Sequence, residues 1–253
     1  MTVKELYRYF DQKIPRDLSC DWDNDGYMCC PEADREVKRV LVALDATGEI
    51  VDTAINGGYD LIVTHHPFIF DGLRRINEES FVAAKAMKLI KNGVASFSFH
   101  TRLDAVEGGV NDVLASLIGL ENAVPFGADG IGRIGDLPVE CTAEELAARV
   151  RDVLGAPFVW LSECGRSCSR VAVLGGGGGS FMGEAMSAGA DTYISGDFSF
   201  HALTDGPDQN INLIQAGHFY TEDPVCARIR ELVLEADPTI ECDVVRSDRI
   251  KAI

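Results

Sequence analysis

The sequence predicts an α/β protein made of two related α/β lobes with an internal pseudo-dyad. Three observations carry that prediction. Residues 40–66 and 171–197 align without a gap at an offset of 131 (171 − 40), pairing Val40 with Val171, Val42 with Val173, Ala54 with Ala185, Gly58 with Gly189, Asp60 with Asp191 and Thr64 with Ser195. Each copy reads strand, loop, helix, Gly-x-Asp turn, strand, and the strands are continuously aliphatic, the pattern of a parallel sheet covered by helices. All five histidines of the 253 residues fall in short motifs around such strands.

Taken in order, Met1 to Pro15 reads as an amphipathic helix with Leu6, Tyr7, Phe10 and Ile14 on one side, not as a signal peptide. Asp23-Asn24-Asp25-Gly26 resembles a turn, with an acid placed near a cleft as the other reading. In the first repeat Val40–Leu44 and Leu61–Thr64 are the strands and Glu49–Asn56 the helix, ending at glycine. Val94–Phe99 is a further strand. Glu121 to Arg133, with its glycines and Pro125, reads as a linker, which divides the chain into lobes 1–121 and 122–253. Thr142 and Glu145 form a capping box that opens a helix to about Leu154, and Phe158–Leu161 reads as a strand. The second repeat supplies strands Val171–Leu174 and Thr192–Ser195 around helix Phe181–Ser187, and Asn212–Gly217 completes the series.

Composition narrows the function. Lys and Arg total 23 against 40 Asp and Glu, a net charge of −17. Nucleic acid is therefore not the expected partner, since phosphate backbones require a basic face. No apolar run reaches membrane length. The eight cysteines include no Cys-x-x-Cys pair and read as small buried hydrophobes in a reducing, cytoplasmic setting.

The chemistry lies in the histidine motifs. His65-His66 ends a hydrophobic strand that Pro67 stops. Adjacent strand residues face opposite ways, but a strand end that twists can turn both imidazoles into one cleft. His100 precedes Asp104, and His218 precedes Glu222, by four residues, a spacing that shares one face of a helix. Imidazole and carboxylate are the usual ligands of Zn, Mn, Fe and Ni, and a carboxylate can bridge two ions. His65, His66, Asp104, His218 and Glu222 are the expected ligands of two divalent ions per chain, held in a cleft between the lobes at the carboxyl ends of the strands. His100 has three readings: direct ligand, partner that orients Asp104, or proton shuttle. His201 reads equally as a base or substrate contact and as a structural histidine. The glycine run Gly175–Gly179 with Ser180 has two readings: a phosphate-binding turn including Gly177 and Ser180, or a tight turn passing close to the metals.

Together the stretches Trp22–Gly26, Val42–Asp45, Thr64–Pro67, His100–Asp104 with Gly108–Asn111, Gly175–Ser180, Gly196-Asp197 and Ala216–Glu222 resemble the Nif-three-like family of dinuclear-metal proteins, whose members are often labelled GTP cyclohydrolase 1 type 2 homologues. The resemblance implies a two-lobed protomer, a toroidal homohexamer and a two-metal centre held by His65, His66, Asp104, His218 and Glu222. It also places Asp197 among the substrate-side residues. Family members often carry Asn where Arg102 stands, and a basic residue near Ser199. Arg102 is expected to put a positive charge beside the site for an anionic substrate. Longer members carry an inserted domain for which this chain has no room.

Two functions remain open at this stage. One is a metal-dependent hydrolase of GTP-cyclohydrolase-like type, using a metal-activated water on a small molecule, a nucleotide among the candidates, with His100 or His201 moving the proton. The other is a non-catalytic metal-binding or scaffold protein.

Overall fold

Val40 pairs with Leu61 in one parallel sheet and Val171 with Thr192 in another, so the 131-residue offset is also a strand register. The computed structural model describes every residue except Ala128 and Ala252. Its strands are β1 (Gly26–Cys29), β2 (Arg39–Ala43), β3 (Leu61–Thr64), β4 (Ala95–Ser98), β5 (Glu121–Phe126), β6 (Gly132–Cys141), β7 (Trp160–Ser162), β8 (Cys168–Leu174), β9 (Thr192–Ser195), β10 (Asn212–Gln215) and β11 (Glu241–Val244). The helices are α1 (Val3–Lys13), α2 (Gly48–Asn56), α3 (Phe81–Lys91), α4 (Thr101–Ala105), α5 (Val110–Ile118), α6 (Ala143–Leu154), α7 (Met182–Ser187), α8 (Phe200–Asp205), α9 (His218–Glu222) and α10 (Val225–Ala236).

Two units result, one of residues 1–106 with 225–249, the other of 107–224 with 250–253. The first carries a sheet in the order β1-β4-β3-β2-β11, the second β5-β6-β8-β9-β10-β7. The division therefore differs from the cut expected after residue 121. β11 pairs in parallel with the outer edge of β2, Glu241 against Arg39, and so returns the C-terminal segment to the first unit. An aliphatic strand such as β2, with 0% exposure from Val40 to Ala43, leaves no edge open to water.

The stretch expected as a linker is instead a hairpin of β5 and β6. Its glycines serve the turn, where Gly127 and Gly130 take φ values of 85° and 62°, and Pro125 is tolerated because β5 is an edge strand. Ala128, within the stretch expected as a linker, lies outside the described residues. The strand expected at Phe158–Leu161 lies at Trp160–Ser162 and runs antiparallel to β10. The sheets are mixed: parallel β2, β3, β4 and β8, β9, β10 at the centre, with antiparallel strands at flanks that need no helical crossover.

The repeat extends to hydrogen bonding. Oδ2 of Asp60 accepts from the N–H groups of Lys38 and Arg39 at 2.8 and 3.0 Å, and Oδ2 of Asp191 accepts from Ser169 and Arg170 at 2.9 and 2.8 Å. Each buried aspartate thus satisfies the N–H groups that lead into the first strand of its repeat, which is why Gly-x-Asp recurs.

Each unit has its own core, Leu41, Ile62 and Leu89 among others in the first, Leu146, Val171 and Ile214 in the second. Helix α1 begins with a capping box between Thr2 and Glu5 and buries Leu6, Phe10 and the following Ile14. Each of these burials contributes at most about 1.5–3 kcal/mol. Four cysteines are buried and four half-buried, and all eight are free thiols. Among the described residues no helix is long and apolar enough to cross a membrane.

Candidate metal centre

In the first unit, three imidazoles meet at the carboxyl ends of β3 and β4. The rings of His65 and His66 lie 4.9 Å apart, and that of His100 lies 5.3 and 5.7 Å from them. One ligand atom from each falls within 4.8 Å of the others. His65 and His66 follow Thr64, the last residue of β3, where pleat alternation lapses and both rings turn the same way. Each ring is held from behind. Nδ1 of His65 lies 2.9 Å from the carbonyl of Phe99, Nδ1 of His66 2.8 Å from Oδ1 of Asp45, and Nδ1 of His100 2.9 Å from Oδ1 of Asp23. A carbonyl or carboxylate can only accept, so Nδ1 carries the proton and Nε2 is left to bind a cation. Oδ1 of Asp104, on α4, stands 3.5 Å from Nε2 of His65.

Asp23 also accepts from the N–H and hydroxyl of Thr101, at 3.0 and 2.6 Å. Burial alone would raise its carboxyl pKa, but the bonds from His100 and Thr101 outweigh burial and bring it down to about 2.

In the second unit, α9 places His218 and Glu222 on one face, with Nε2 3.2 Å from Oε2. Nδ1 of His218 lies 2.7 Å from Oδ2 of Asp197. The bonds to Asp197 and then Glu222 lift the His218 imidazole to a pKa of about 10, against the opposing effect of burial. The glycine run passes directly beside this pair. Gly176 has φ +60°, and a Cβ there would collide with Oε1 of Glu222 and lie 3.1 Å from Nε2 of His218.

A family profile described as Duf34/NIF3 (NGG1p interacting factor 3) matches residues 1–252. The chain belongs to the Duf34/NIF3 family. It is 31% identical over 242 residues to a Clostridium perfringens protein named GTP cyclohydrolase 1 type 2 homolog, covering 93% of this chain and 92% of that one. A second relative of the same name, from Clostridium acetobutylicum, is 34% identical over 236 residues, 88% of this chain and 86% of its own. A crystal structure of a Staphylococcus aureus hypothetical protein superposes with a TM-score of 0.89 at 26% identity, covering 100% of this chain and 99% of that one. A Bacillus cereus protein related to NIF3, at 21% identity and TM-score 0.90 over 100% of this chain and 99% of its own, shares the fold.

The donor groups of this Duf34/NIF3 chain fit a divalent first-row ion. Imidazole nitrogens with fixed tautomers and adjoining carboxylates suit Zn, Mn, Fe or Ni, and glycine at 176 leaves the space beside Glu222 clear.

Other expectations are corrected by the Duf34/NIF3 structure. Arg102 does not offer its charge to a substrate. It is 0% exposed, with Nε 2.8 Å from Asp25, Nη1 2.6 Å from Asp11 and 3.0 Å from the carbonyl of Ile14, and its guanidinium 4.6 Å from the centre of the Phe99 ring. Position 102 falls on the inward face of α4, opposite to what its charge suggested. His201 is exposed on α8, its ring edge-on to Phe200. Ser180 and Gly177 are exposed, and within the run the N–H groups of Gly175, Gly176 and Gly179 donate to Asn111, Thr221 and Asp197. At Gly176 the run brings its backbone close to Glu222. Asp197 supports His218 from behind.

The spacing of four does not act alike in the two units. His218 begins α9, whereas His100 is the N-cap of α4 with ψ −111°, outside the helical backbone. The β3–β4 and β9–β10 registers pair Leu61 with Ala95 and Thr192 with Asn212, which aligns Thr101, not His100, with His218.

Sequence reasoning passed over Asp45, and it read Asp23 within a turn, with an acid near the cleft as the other reading. The available signal for Asp45 was register. Ala43 pairs with Thr64, so Asp45 and His66 each stand two residues beyond the pair.

Proposed function

We propose that this Duf34/NIF3 protein is a metal-dependent hydrolase of GTP-cyclohydrolase-like type. The observation that carries it is the common arrangement of four histidines, each with Nδ1 fixed by an acceptor and Nε2 presented. Single structural histidines do not require four such supports. The names of the Clostridium relatives support a ring-opening hydrolysis on a nucleotide-like small molecule.

His65, His66, Asp104, His218 and Glu222 would hold two divalent ions. When bound, such ions supply Lewis acidity that lowers the pKa of water and polarises a substrate oxygen. The chain's own residues do the rest. Asp45 and Asp197 orient the His66 and His218 rings and strengthen their basicity. His100, backed by Asp23, presents Nε2 as the group that takes up and returns a proton. A homohexamer of this chain in the cytoplasm belongs to the same proposal, on the sequence resemblance, and sedimentation of the purified protein tests the assembly.

Glu222→Gln tests the reading as a whole. With fold and assembly intact, turnover against a panel of nucleotides, phosphodiesters and dipeptides, each tried with Zn, Mn, Fe and Ni, is expected to disappear. Full activity in the variant sinks the proposal. Uniform inactivity of the unaltered protein across the panel, with metal bound, selects a non-catalytic metal-binding protein instead.

A further inference from the structure

Beside the imidazole cluster of the first unit stand two large aromatic side chains in open water. Trp22 is 64% exposed and Phe70 48% exposed. Their ring centres lie 6.1 Å apart, and each lies 6.2 Å from the His100 ring. Scattered exposed apolar residues are ordinary, but a Trp–Phe pair set against a cluster of candidate ligands is not scattered.

The pair is held in place from below. Asn24 donates from Nδ2 to the carbonyl of Ile69 at 2.6 Å, tying the loop of Trp22 to that of Phe70. The N–H of Cys20 donates to Thr101 at 2.9 Å, and Asp23 binds both Thr101 and His100. Rings fixed before a ligand arrives lose little rotamer freedom on binding it.

Phe70 also lines a cavity of about 510 Å³ with Phe68, Leu73, Arg74 and Arg75. That volume suits a small molecule. Arg74 and Arg75 are exposed, and among the described residues neither is in an ion pair, in a chain of net charge −17. Asp71 and Glu79 share the lining, but neither holds an arginine in an ion pair, so both guanidinium groups can turn to a flat ring that carries an anionic group.

We propose that Trp22 and Phe70 form a stacking platform that captures the planar aromatic ring of an anionic small molecule beside His100, with Arg74 and Arg75 attracting its charge. The hydrolase reading governs what then happens to the ring. The capture itself rests on Trp22, Phe70 and the two arginines.

The test is calorimetric titration of the protein, loaded with the metal it is purified with, using 1-naphthyl phosphate, methyl phosphate and inorganic phosphate. The naphthyl ester is expected to bind about tenfold tighter or more than methyl phosphate, the scale of one stacked ring. Trp22→Ala and Phe70→Ala are each expected to lose about that factor, Trp22→Phe to keep most of it, and a double Arg74→Ala, Arg75→Ala variant to lose the salt dependence. Equal affinity for the two esters, or undiminished naphthyl binding in Trp22→Ala and Phe70→Ala, overturns the platform. So does a change of sedimentation in those variants, which would make the surface a contact with a second copy of this chain. Metal content is measured on the same samples. A metal-free protein that still binds the naphthyl ester through Trp22 removes the hydrolase reading and leaves the platform standing. A metal-loaded protein indifferent to Trp22 does the reverse.

Discussion

Oδ1 of Asp45 accepts a hydrogen bond from Nδ1 of His66 at 2.8 Å, across the ends of two neighbouring parallel strands. The corresponding positions of the second repeat, 131 residues on, are Gly176 and Asp197. There the carboxylate has moved to the place of the histidine, and it supports His218 instead. The two units thus build the same kind of support from different positions of one repeat.

Asp45→Ala is expected to weaken metal affinity about 10- to 100-fold, the usual effect of removing the group behind a ligating imidazole. The fold should survive, because Asp45 is part of no core cluster. Competition with a chromogenic chelator measures it. Affinity equal to that of the unaltered protein would show that His66 needs no support.

Gly176→Ala meets two obstacles at once, a φ of +60° and the carboxylate of Glu222. The backbone conformation alone costs about 1–2 kcal/mol for a residue with a Cβ. Loss of part of the bound metal and a lower unfolding midpoint are expected. Gly177→Ala, with open space around its Cβ and a φ of −78°, is the control that should change neither. Equal behaviour of the two variants would contradict the close approach.

Arg102→Met removes the cation that pairs with Asp25, whose side chain is 2% exposed. Breaking a buried pair in this way costs about 3–5 kcal/mol. A urea titration should show the midpoint falling sharply, with Arg102→Lys intermediate because an ammonium cannot match the fork to Asp11 and Asp25. A loss below about 1 kcal/mol would mean that the network is dispensable.

His218 and Asp23 each contribute to the pH response of the metal-free protein. His218 titrates near pH 10 when folded, above its ordinary value of 6.5. Its protonated form therefore adds stability that is complete below about pH 6.5 and lost as pH rises through about 10. Asp23 titrates near pH 2, below 3.8, so its contribution is present above about pH 3.8 and lost as pH falls toward 2. Thermal unfolding across pH, compared with His218→Ala and Asp23→Asn, should lose the alkaline and acid components in turn. Because a cation competes with the proton on His218, metal loading at neutral pH should release protons, measurable by calorimetry in buffers of different ionisation enthalpy. Loading that is independent of the buffer would remove His218 from the ligands.

Much of this protein is legible from residues in order. Aliphatic runs, helix caps and the 131-residue repeat are local signals, so the α/β class, the capping boxes at Thr2 and Thr142 and the paired Asp60 and Asp191 follow from short-range chemistry. The histidine and carboxylate motifs that could hold a metal are legible for the same reason, since residue types and spacing are written in the chain. What only the tertiary structure decided depends on which face a residue takes and which distant strand lies beside it. Arg102 turned inward because Asp25 and Asp11, 77 and 91 residues away, receive its guanidinium, and no local pattern connects them to it. The segment from Glu121 to Arg133 became a hairpin because β8 offered β6 an open edge. Asp45 and Asp23 reach their histidines 21 and 77 residues away, through strand register and loop packing. Spacing along the chain reports neither, because hydrogen bonds of this kind form between neighbours in space.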